Sequence, residues 1–169
     1  MPSTGCFKGG LYALCRSGQE SALIYFDTCY IVKCYFFERG SEAVRRLTVL
    51  GEPIGSCELA RIEFFSAAHR HFREGNISKK NLSSVLHHFR EDEQNGYWTW
   101  FPIHSDITEE CCAAFETLPQ SVYLRAADAL HLSSARAQGF KTIYTNDEKL
   151  SAAAIHYGLK AIDVISKSP

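Results

Sequence analysis

The stretch LIYFDTCYIVKCYFF, residues 23–37, decides how the chain folds. It is almost wholly apolar, yet a single acid, Asp27, stands inside it. An apolar run without alternation is typical of a strand buried on both faces, so residues 23–26 are predicted to form a strand, followed by a helix over residues 28–39. An ionised carboxylate is costly to bury. Asp27 therefore either caps that helix or holds a positive charge.

The rest of the chain repeats this alternation of short strands and helices. The predicted strands cover residues 23–26, 51–56, 97–103, 141–145 and 161–165. The predicted helices cover residues 28–39, 41–50, 58–74, 78–96, 106–118, 124–139 and 146–158. Strands that alternate with helices indicate an α/β fold, and we expect a three-layer α/β/α sandwich with a mostly parallel central sheet.

Composition and length indicate one folded domain preceded by a segment of different character. The chain has 169 residues, of which 46% are hydrophobic, enough for one real core. Residues 23–166 are predicted to form that domain. Residues 1–22 are rich in Gly and Ser and lack periodicity, so we expect a poorly ordered N-terminal extension. Met1 is the only methionine, which leaves open a native start near Leu23 and an extension that is not native.

Charge and cysteine content restrict the class of protein further. The net charge is −1, so no global field attracts nucleic acid and any such binding has to be local. The seven cysteines are odd in number and form no CxxC motif, which indicates reduced thiols in a cytoplasmic protein. No apolar run approaches the length of a membrane span, so we expect no membrane association.

Two acids follow predicted strands. Asp27 comes directly after the first strand, and Asp147 comes shortly after the fourth. In open parallel sheets the functional crevice lies at the carboxyl ends of the strands, so both acids are expected at one edge of the sheet. Each also has a simpler explanation, because Asp27 can cap its helix and Asp147 can lie in a first turn beside a capping Asn146.

Two more acids lie on predicted helices, beside apolar residues. Glu63 lies one turn after Leu59 and one turn before Ala67, so it is expected to border the buried side of its helix. The apolar residues that recur at helical spacing on this helix are Leu59, Ile62, Phe65 and Phe72. Asp128 lies in the small-residue run AADAL, residues 126–130, which allows its helix to approach the sheet closely. A single acid on a helix is usually solvated. The case for a site therefore rests on the convergence of all four acids.

Four carboxylates in one crevice would require a compensating positive charge. Two unit charges 4 Å apart repel by about 4 kcal/mol at an effective dielectric constant of 20. Carboxylate oxygens and water are the ligands that Mg²⁺ and Mn²⁺ prefer. Such a site can activate water to hydrolyse a phosphodiester, leaving a 5′-phosphate and a 3′-hydroxyl. This chemistry needs no 2′-hydroxyl, so it does not by itself distinguish RNA from DNA.

The segments that carry these acids resemble the motifs of PIN-domain ribonucleases. The resemblance is carried by LIYFDTCYIVK (residues 23–33), SCELARIEFFSA (56–67), RAADALHLSSA (125–135) and IYTNDEKL (143–150). The third motif is the most specific of the four, and the order and spacing also fit. The resemblance covers roughly residues 23–165, and a single-domain chain of this size is most similar to the VapC-type toxins of toxin–antitoxin pairs.

This resemblance implies a fold, an activity and partners. It implies a PIN-like nuclease domain that cleaves RNA with Mg²⁺ or Mn²⁺, forms a homodimer and is neutralised by a small antitoxin protein. The implied catalytic and metal-binding residues are Asp27, Glu63, Asp128 and Asp147, with Glu148 as the alternative fourth ligand. Two other functions stay open: a PIN-like module that binds RNA or protein without activity, and a PIN nuclease of RNA processing that is not a toxin.

Several neighbours of these motifs are candidates for supporting roles. Thr145 can hydrogen-bond a metal ligand or a bound water, whereas His131 is expected to be a packed helix residue rather than a catalyst. Arginines that could contact RNA phosphates are Arg61, Arg70, Arg73 and Arg125, although solvated faces are the more common explanation. Aromatic residues that could stack bases are Tyr97, Trp98 and Trp100, although core positions are more common in a sheet protein.

Other enzyme classes fit the sequence poorly. A phosphatase of the haloacid-dehalogenase kind needs a second Asp two positions after the first, where this chain has Cys29. A phosphoacceptor receiver domain needs an acidic pair before the acceptor Asp, and the N-terminal segment supplies none. The motifs of serine hydrolases, P-loop proteins and zinc proteases are absent from the sequence.

Overall fold

The computed structural model of the chain describes residues 23–49 and 53–165, so the predicted N-terminal extension lies outside the described residues. The strands of the described part are β1 (Ile24–Tyr25), β2 (Ile54–Cys57), β3 (Trp98–Phe101), β4 (Thr142–Tyr144) and β5 (Lys160–Ile162). Its α-helices are α1 (Thr28–Tyr35), α2 (Ser41–Val49), α3 (Leu59–Arg73), α4 (Lys79–Gln94), α5 (Ser105–Thr117), α6 (Ala126–Ala137) and α7 (Glu148–Ala154).

These elements follow the predicted order, and the main differences lie at their ends. Helix α1 stops at Tyr35 instead of continuing to Arg39, because Phe36 adopts an extended backbone conformation. This turn of the chain buries Phe36, whose ring stacks on His71 of α3 at a centroid distance of 4.3 Å. Packing thus ends the helix earlier than its local pattern indicates.

The strands pair in parallel throughout the described part. β2 lies between β1 and β3, and β4 pairs with β5. A parallel bridge between Phe26 and Tyr144 joins the two sheets, and the amide of Asp27 donates to the carbonyl of Tyr144 at 3.1 Å. The strand order is therefore β3-β2-β1-β4-β5, and the direction of winding reverses between β1 and β4. This reversal is the position where open α/β sheets bind their ligands.

Both faces of the sheet are covered, which confirms the predicted α/β/α sandwich. Neighbouring strand residues point to opposite faces, and accordingly Tyr25 and Phe26 belong to different core clusters. The cluster around Phe26 contains side chains of α1, α2, α3 and α4. The cluster around Tyr25 contains side chains of α6 and α7, including Leu132 and Leu150. No helix among the described residues is long and apolar enough to cross a membrane.

The core-facing side of α3 follows the apolar spacing only in part, since Phe65 packs against the core whereas two other apolar residues are exposed. Ile62 is 70% exposed and Phe72 is 37% exposed, whereas the buried residues of this helix are Ala60, Phe64, Ala67 and Ala68. Three alanines allow α3 to lie close to its neighbours, and Phe64 stacks on Phe89 of α4 at a centroid distance of 4.0 Å. Glu63 precedes Phe64 and lies at the border of this buried side.

A pair of substitutions in α3 tests this assignment. We expect Phe64→Ala to lower the free energy of unfolding by about 3–5 kcal/mol, because it leaves a cavity among packed rings. The matched change Phe72→Ala, on the exposed side of the same helix, should cost less than about 1 kcal/mol. Urea unfolding followed by circular dichroism measures both values. Equal costs would show that α3 is oriented differently.

Candidate active site

Asp27 lies at the junction of β1 and α1 and is 4% exposed. Its Oδ1 accepts hydrogen bonds from the backbone amide of Tyr30 at 3.1 Å and from the Cys29 thiol at 2.8 Å. Its Oδ2 accepts a hydrogen bond from the Thr145 hydroxyl. Burial raises the pKa of Asp27, although these hydrogen bonds and His131 act in the opposite direction. Asp27 does cap α1, and it is also bonded to the end of β4.

Asp147 and Thr145 follow β4 and face the same place. Thr145 is buried, and its hydroxyl oxygen accepts the backbone amide of Asp147 at 2.9 Å while donating to Asp27. Asp147 accepts two backbone amides at the start of α7, at 2.8 and 3.0 Å. Asp147 is therefore the cap itself, and the predicted cap at Asn146 is wrong. The predicted hydrogen bond from Thr145 to a candidate metal ligand is present.

Glu63 lies on the second turn of α3, and its side chain is 32% exposed. Its Oε2 lies 3.1 Å from Nε2 of His131 and also accepts the Thr28 hydroxyl. Burial alone would raise the pKa of Glu63, but the bonds from His131 and Thr28 outweigh it and lower the pKa below its ordinary value. Glu63 is therefore held as an anion, with both contacts on the same oxygen.

His131 lies on α6 and is only 2% exposed. Besides Glu63, its Nε2 lies 3.1 Å from the Thr28 hydroxyl. Its Nδ1 lies 3.3 Å from the Tyr25 hydroxyl and 3.6 Å from the Cys57 thiol. The expectation of a packed helix residue is met, but the ring also joins α3 and α6 to strands β1 and β2.

Asp128 lies in the first turn of α6 and differs from the other acids in its surroundings. Its Oδ2 is buried and has no hydrogen-bond partner among the described residues. Burial and the negative charge of Asp147 raise the pKa of Asp128. The nearest compensating charge to Asp147 is Arg125, with Nη1 at 4.0 Å from Oδ2 of Asp147. An unpartnered carboxylate oxygen beside another acid is the arrangement that a cation would relieve.

Contacts thus link the four predicted acids near the carboxyl ends of β1 and β4, the switch point at which open α/β sheets have their ligand crevice. Asp27 and Asp147 are linked through Thr145. Asp128 interacts electrostatically with Asp147. His131 interacts with Asp27, Glu63 and Asp128. Glu148 is exposed in the first turn of α7 and takes no part in this network.

The donor set of this crevice consists of carboxylate oxygens, which is the chemistry that Mg²⁺ and Mn²⁺ prefer. The residues present therefore fit a hard divalent cation, and the orphaned Oδ2 of Asp128 supplies the structural indication. Over residues 23–49 and 53–165, however, no three His, Cys, Asp or Glu side chains are grouped closely enough to form a finished metal site.

Two participants were not assigned from the sequence. Thr28 immediately follows Asp27, and the Sγ atom of Cys29 lies 2.8 Å from Oδ1 of Asp27 and 2.9 Å from Oδ1 of Asn146. His131 lies one turn after Asp128, so the two side chains share a face of α6. Position next to a predicted acid is the signal available for Thr28 and Cys29.

The arginines and aromatic residues divide between surface and core. Of the four candidate arginines, Arg61 pairs with Glu93 at 2.6 Å, and Arg125 alone lies beside a candidate acid. Trp98 is 4% exposed and packs on Trp100 at a centroid distance of 5.9 Å. The aromatic residues of β3 therefore contribute to the core, which favours the simpler of the two explanations given for them.

Comparison with known proteins identifies the family. The sequence matches the PIN domain family over residues 24–156, while no curated protein matches it. Among solved structures, one similar fold is the crystal structure of VapBC2 from Rickettsia felis bound to a DNA fragment from their promoter. The match has a TM-score of 0.59 at 16% identity and covers 84% of this chain and 98% of that one. Since the family match extends from the first residue of β1 to the turn after α7, the chain belongs to the PIN domain family.

Proposed function

We propose that this chain is a metal-dependent endoribonuclease that acts as the toxin of a toxin–antitoxin pair. The observation that carries the nuclease part is the chain of contacts that links the four acids near the ends of β1 and β4, where one buried carboxylate oxygen, Oδ2 of Asp128, lacks a partner among the described residues. The nuclease activity general to PIN domains supports it. The site would then serve hydrolysis of a phosphodiester, with RNA as the substrate.

The residues of the site fall into two groups: acids that would bind the cation, and neighbouring residues that orient those acids. Asp27, Glu63, Asp128 and Asp147 would hold Mg²⁺ or Mn²⁺. When bound, the cation supplies charge neutralisation of the phosphate and a more acidic water. Thr145 fixes one oxygen of Asp27. On the other side of the crevice, His131 and Thr28 fix one oxygen of Glu63 and leave its second oxygen outside these two contacts.

The toxin assignment is supported by the likeness of fold to VapBC2. On this proposal a small antitoxin protein binds and neutralises the chain, the chain forms a homodimer, and both act in the cytoplasm. Residues 23–166 would constitute the whole nuclease domain. Production of the chain alone in bacteria should stop growth, and coproduction of a small protein encoded beside its gene should restore growth. Nuclease activity without toxicity would favour the alternative of an RNA-processing PIN enzyme.

Cleavage of RNA by purified protein tests the enzymatic part. We expect cleavage with Mg²⁺ or Mn²⁺, no cleavage with EDTA, and products with 5′-phosphate and 3′-hydroxyl ends. Asp27→Asn and Glu63→Gln should each lower the rate by about a hundredfold or more, because several kcal/mol of charge stabilisation is lost. Asparagine caps helices as well as aspartate does. The Asp27→Asn variant therefore keeps the cap and loses the charge together with the acceptor of the Thr145 hydroxyl.

Glu148→Gln provides the control, since Glu148 is exposed and lies outside the network. It should cleave at the wild-type rate. Cleavage by Asp27→Asn and Glu63→Gln that equals the wild-type rate would refute the assigned site. RNA binding by wild type without any cleavage would favour the binding module.

A further inference from the structure

Residues 69–90, from the end of α3 through most of α4, are strongly basic in a chain that is slightly acidic overall, although Glu91, Asp92 and Glu93 follow directly. Residues 69–90 contain five Lys and Arg but a single acid, Glu74, whereas the whole chain has a net charge of −1. The segment therefore carries a net charge of about +4 at neutral pH with neutral His. Four of the seven histidines also fall in it: His69, His71, His87 and His88.

Helical geometry gathers these charges on one side of α4. At 100° per residue, one arc of about 100° holds a group of polar residues that we call the basic face. The basic face consists of Lys79, Lys80, Ser83, His87 and Arg90. All five are exposed, and the buried residue of α4, Phe89, lies on the opposite side of the helix. The first acid near this face is Glu91, which lies 3.3 Å from His87.

The end of α3 extends the basic face. Helices α3 and α4 form a hairpin, closed by a bond from the amide of Asn76 to the carbonyl of His71 at 2.9 Å. This places Arg70 and Arg73 near the start of α4, where Lys79 and Lys80 lie. Among the described residues, no acid forms an ion pair with Arg70, Lys79, Lys80 or Arg90, and the pair between Arg73 and Glu74 is long and exposed, at 3.8 Å. The guanidinium of Arg90 lies 5.3 Å from the centroid of the Phe65 ring, and the other cations are available to an anionic partner.

The chemistry of the basic face fits phosphate better than an acidic protein. Stable protein interfaces are anchored by buried apolar or aromatic residues, and lysine is depleted in them. The basic face contains two lysines, an arginine, a histidine and a serine and no apolar side chain. Lysine, arginine and serine are the side chains that contact phosphate oxygens in nucleic-acid complexes.

The basic face and the acid Glu63 lie on the same helical hairpin, so one RNA strand could contact both. Helix α3 carries Glu63 near one end and Arg73 at the other, about 15 Å apart along its axis. The acids at the first end repel phosphate, so a bound strand requires cations nearby. We propose that the basic face and the end of α3 bind the phosphate backbone of the single-stranded RNA that the acid site cleaves. The identity of this ligand rests on the proposed function.

Two double variants of equal charge test this inference. Lys79→Ala/Lys80→Ala removes two charges from the basic face, and Lys141→Ala/Lys160→Ala removes two exposed charges beside β4 and β5. Binding of a fluorescent 20-nucleotide single-stranded RNA is measured by anisotropy in EDTA, which separates binding from cleavage, over a range of salt concentrations. We expect the first variant to weaken binding about tenfold or more at 0.1 M salt and to lower the salt slope by about 1.4, because each neutralised phosphate contributes about 0.7.

The second variant should bind within about twofold of wild type, since phosphate contacts act locally. Equal losses in both variants would mean that only net charge matters, and unchanged binding in the first would exclude the basic face; either result overturns the inference. Disruption of a homodimer by Lys79→Ala/Lys80→Ala, with RNA affinity unchanged, would instead assign this face to contact between copies. RNA binding that depends on the face, without cleavage in Mg²⁺ by wild type, would refute the proposed function and leave the binding surface standing.

Discussion

Asp128→Asn is expected to abolish RNA cleavage and at the same time to make the metal-free protein more stable. The loss of cleavage, about a hundredfold or more, follows from removal of one of the charges proposed to hold the cation. The gain in stability follows from the surroundings of Asp128, whose Oδ2 has no partner among the described residues and whose pKa is raised by burial and by Asp147. A neutral amide relieves this repulsion.

The expected gain is small because Asp128 is only half-buried. Solvent screening reduces interactions of such groups, so we expect the free energy of unfolding to rise by about 0.5–1 kcal/mol at pH 7 in EDTA. The control Glu109→Gln removes the same charge from an exposed position on α5 and should change stability by less than about 0.5 kcal/mol. Saturating Mg²⁺ should reverse the order, since it stabilises the wild type more than the variant.

The gain should also depend on pH. Because the pKa of Asp128 is raised in the folded protein, the folded state keeps its proton to a higher pH than the unfolded chain does. Wild-type stability therefore falls as the pH rises from the ordinary carboxyl pKa through the raised one. The difference between Asp128→Asn and wild type should grow as the pH rises above the ordinary carboxyl pKa and vanish below about pH 4. A variant that is less stable than wild type at pH 7 would show that Asp128 is satisfied in the folded protein.

The positions of the acids were predictable because the signals are local. Asp27 and Asp147 each come after a strand, and the carboxyl ends of parallel strands meet at one edge whatever the strand order is. The capping residue of α7 was misjudged by one position, at Asn146 instead of Asp147, because both residue types cap helices well. This error concerns only which residue caps α7 and does not change the predicted position of Asp147.

The core-facing side of α3 was not predictable from hydrophobicity. Ile62 and Phe72 have the larger apolar side chains, but the helix buries Ala60, Ala67 and Ala68 around Phe64. Closely packed helices favour small residues at their contact. The size and shape of the side chains therefore decide which apolar side of α3 is buried. The supporting role of His131 was not predictable either, because its partners Glu63 and Tyr25 lie 68 and 106 residues away in the sequence.

A second large effect is expected at His131, which does not belong to the four acids. We expect His131→Leu to lower the rate of RNA cleavage by about 10–100-fold and to weaken Mn²⁺ binding, the usual consequence of losing a residue that orients a ligand. His131→Gln should retain most of both properties. The reason is the bond from Nε2 of His131 to Oε2 of Glu63, at 3.1 Å.

Two of the three protonation forms of His131 make this bond, and only the neutral ring with its proton on Nδ1 does not. Burial alone would lower the pKa of His131, whereas Cys57 and Glu63 raise it, and the net direction is upward. Both the imidazolium and the neutral ring with its proton on Nε2 donate to Glu63. The amide nitrogen of glutamine can donate from nearly the same place. Leucine fills the volume but leaves Thr28 as the only described donor to that oxygen.

Comparison of these variants separates orientation of Glu63 from packing. Cleavage rates and Mn²⁺ affinity are measured for His131→Leu, His131→Gln and the control Tyr30→Phe, which removes a hydroxyl bonded to the amide of Val164 at 2.9 Å, away from Glu63. Tyr30→Phe should lose stability without losing Mn²⁺ affinity. If His131→Leu and His131→Gln lose cleavage equally and keep wild-type Mn²⁺ affinity, the ring serves only to fill the core. If glutamine restores both properties, a single N–H bond sets the orientation of Glu63, and the buried contacts of the ring to β1 and β2 serve to hold that bond in place.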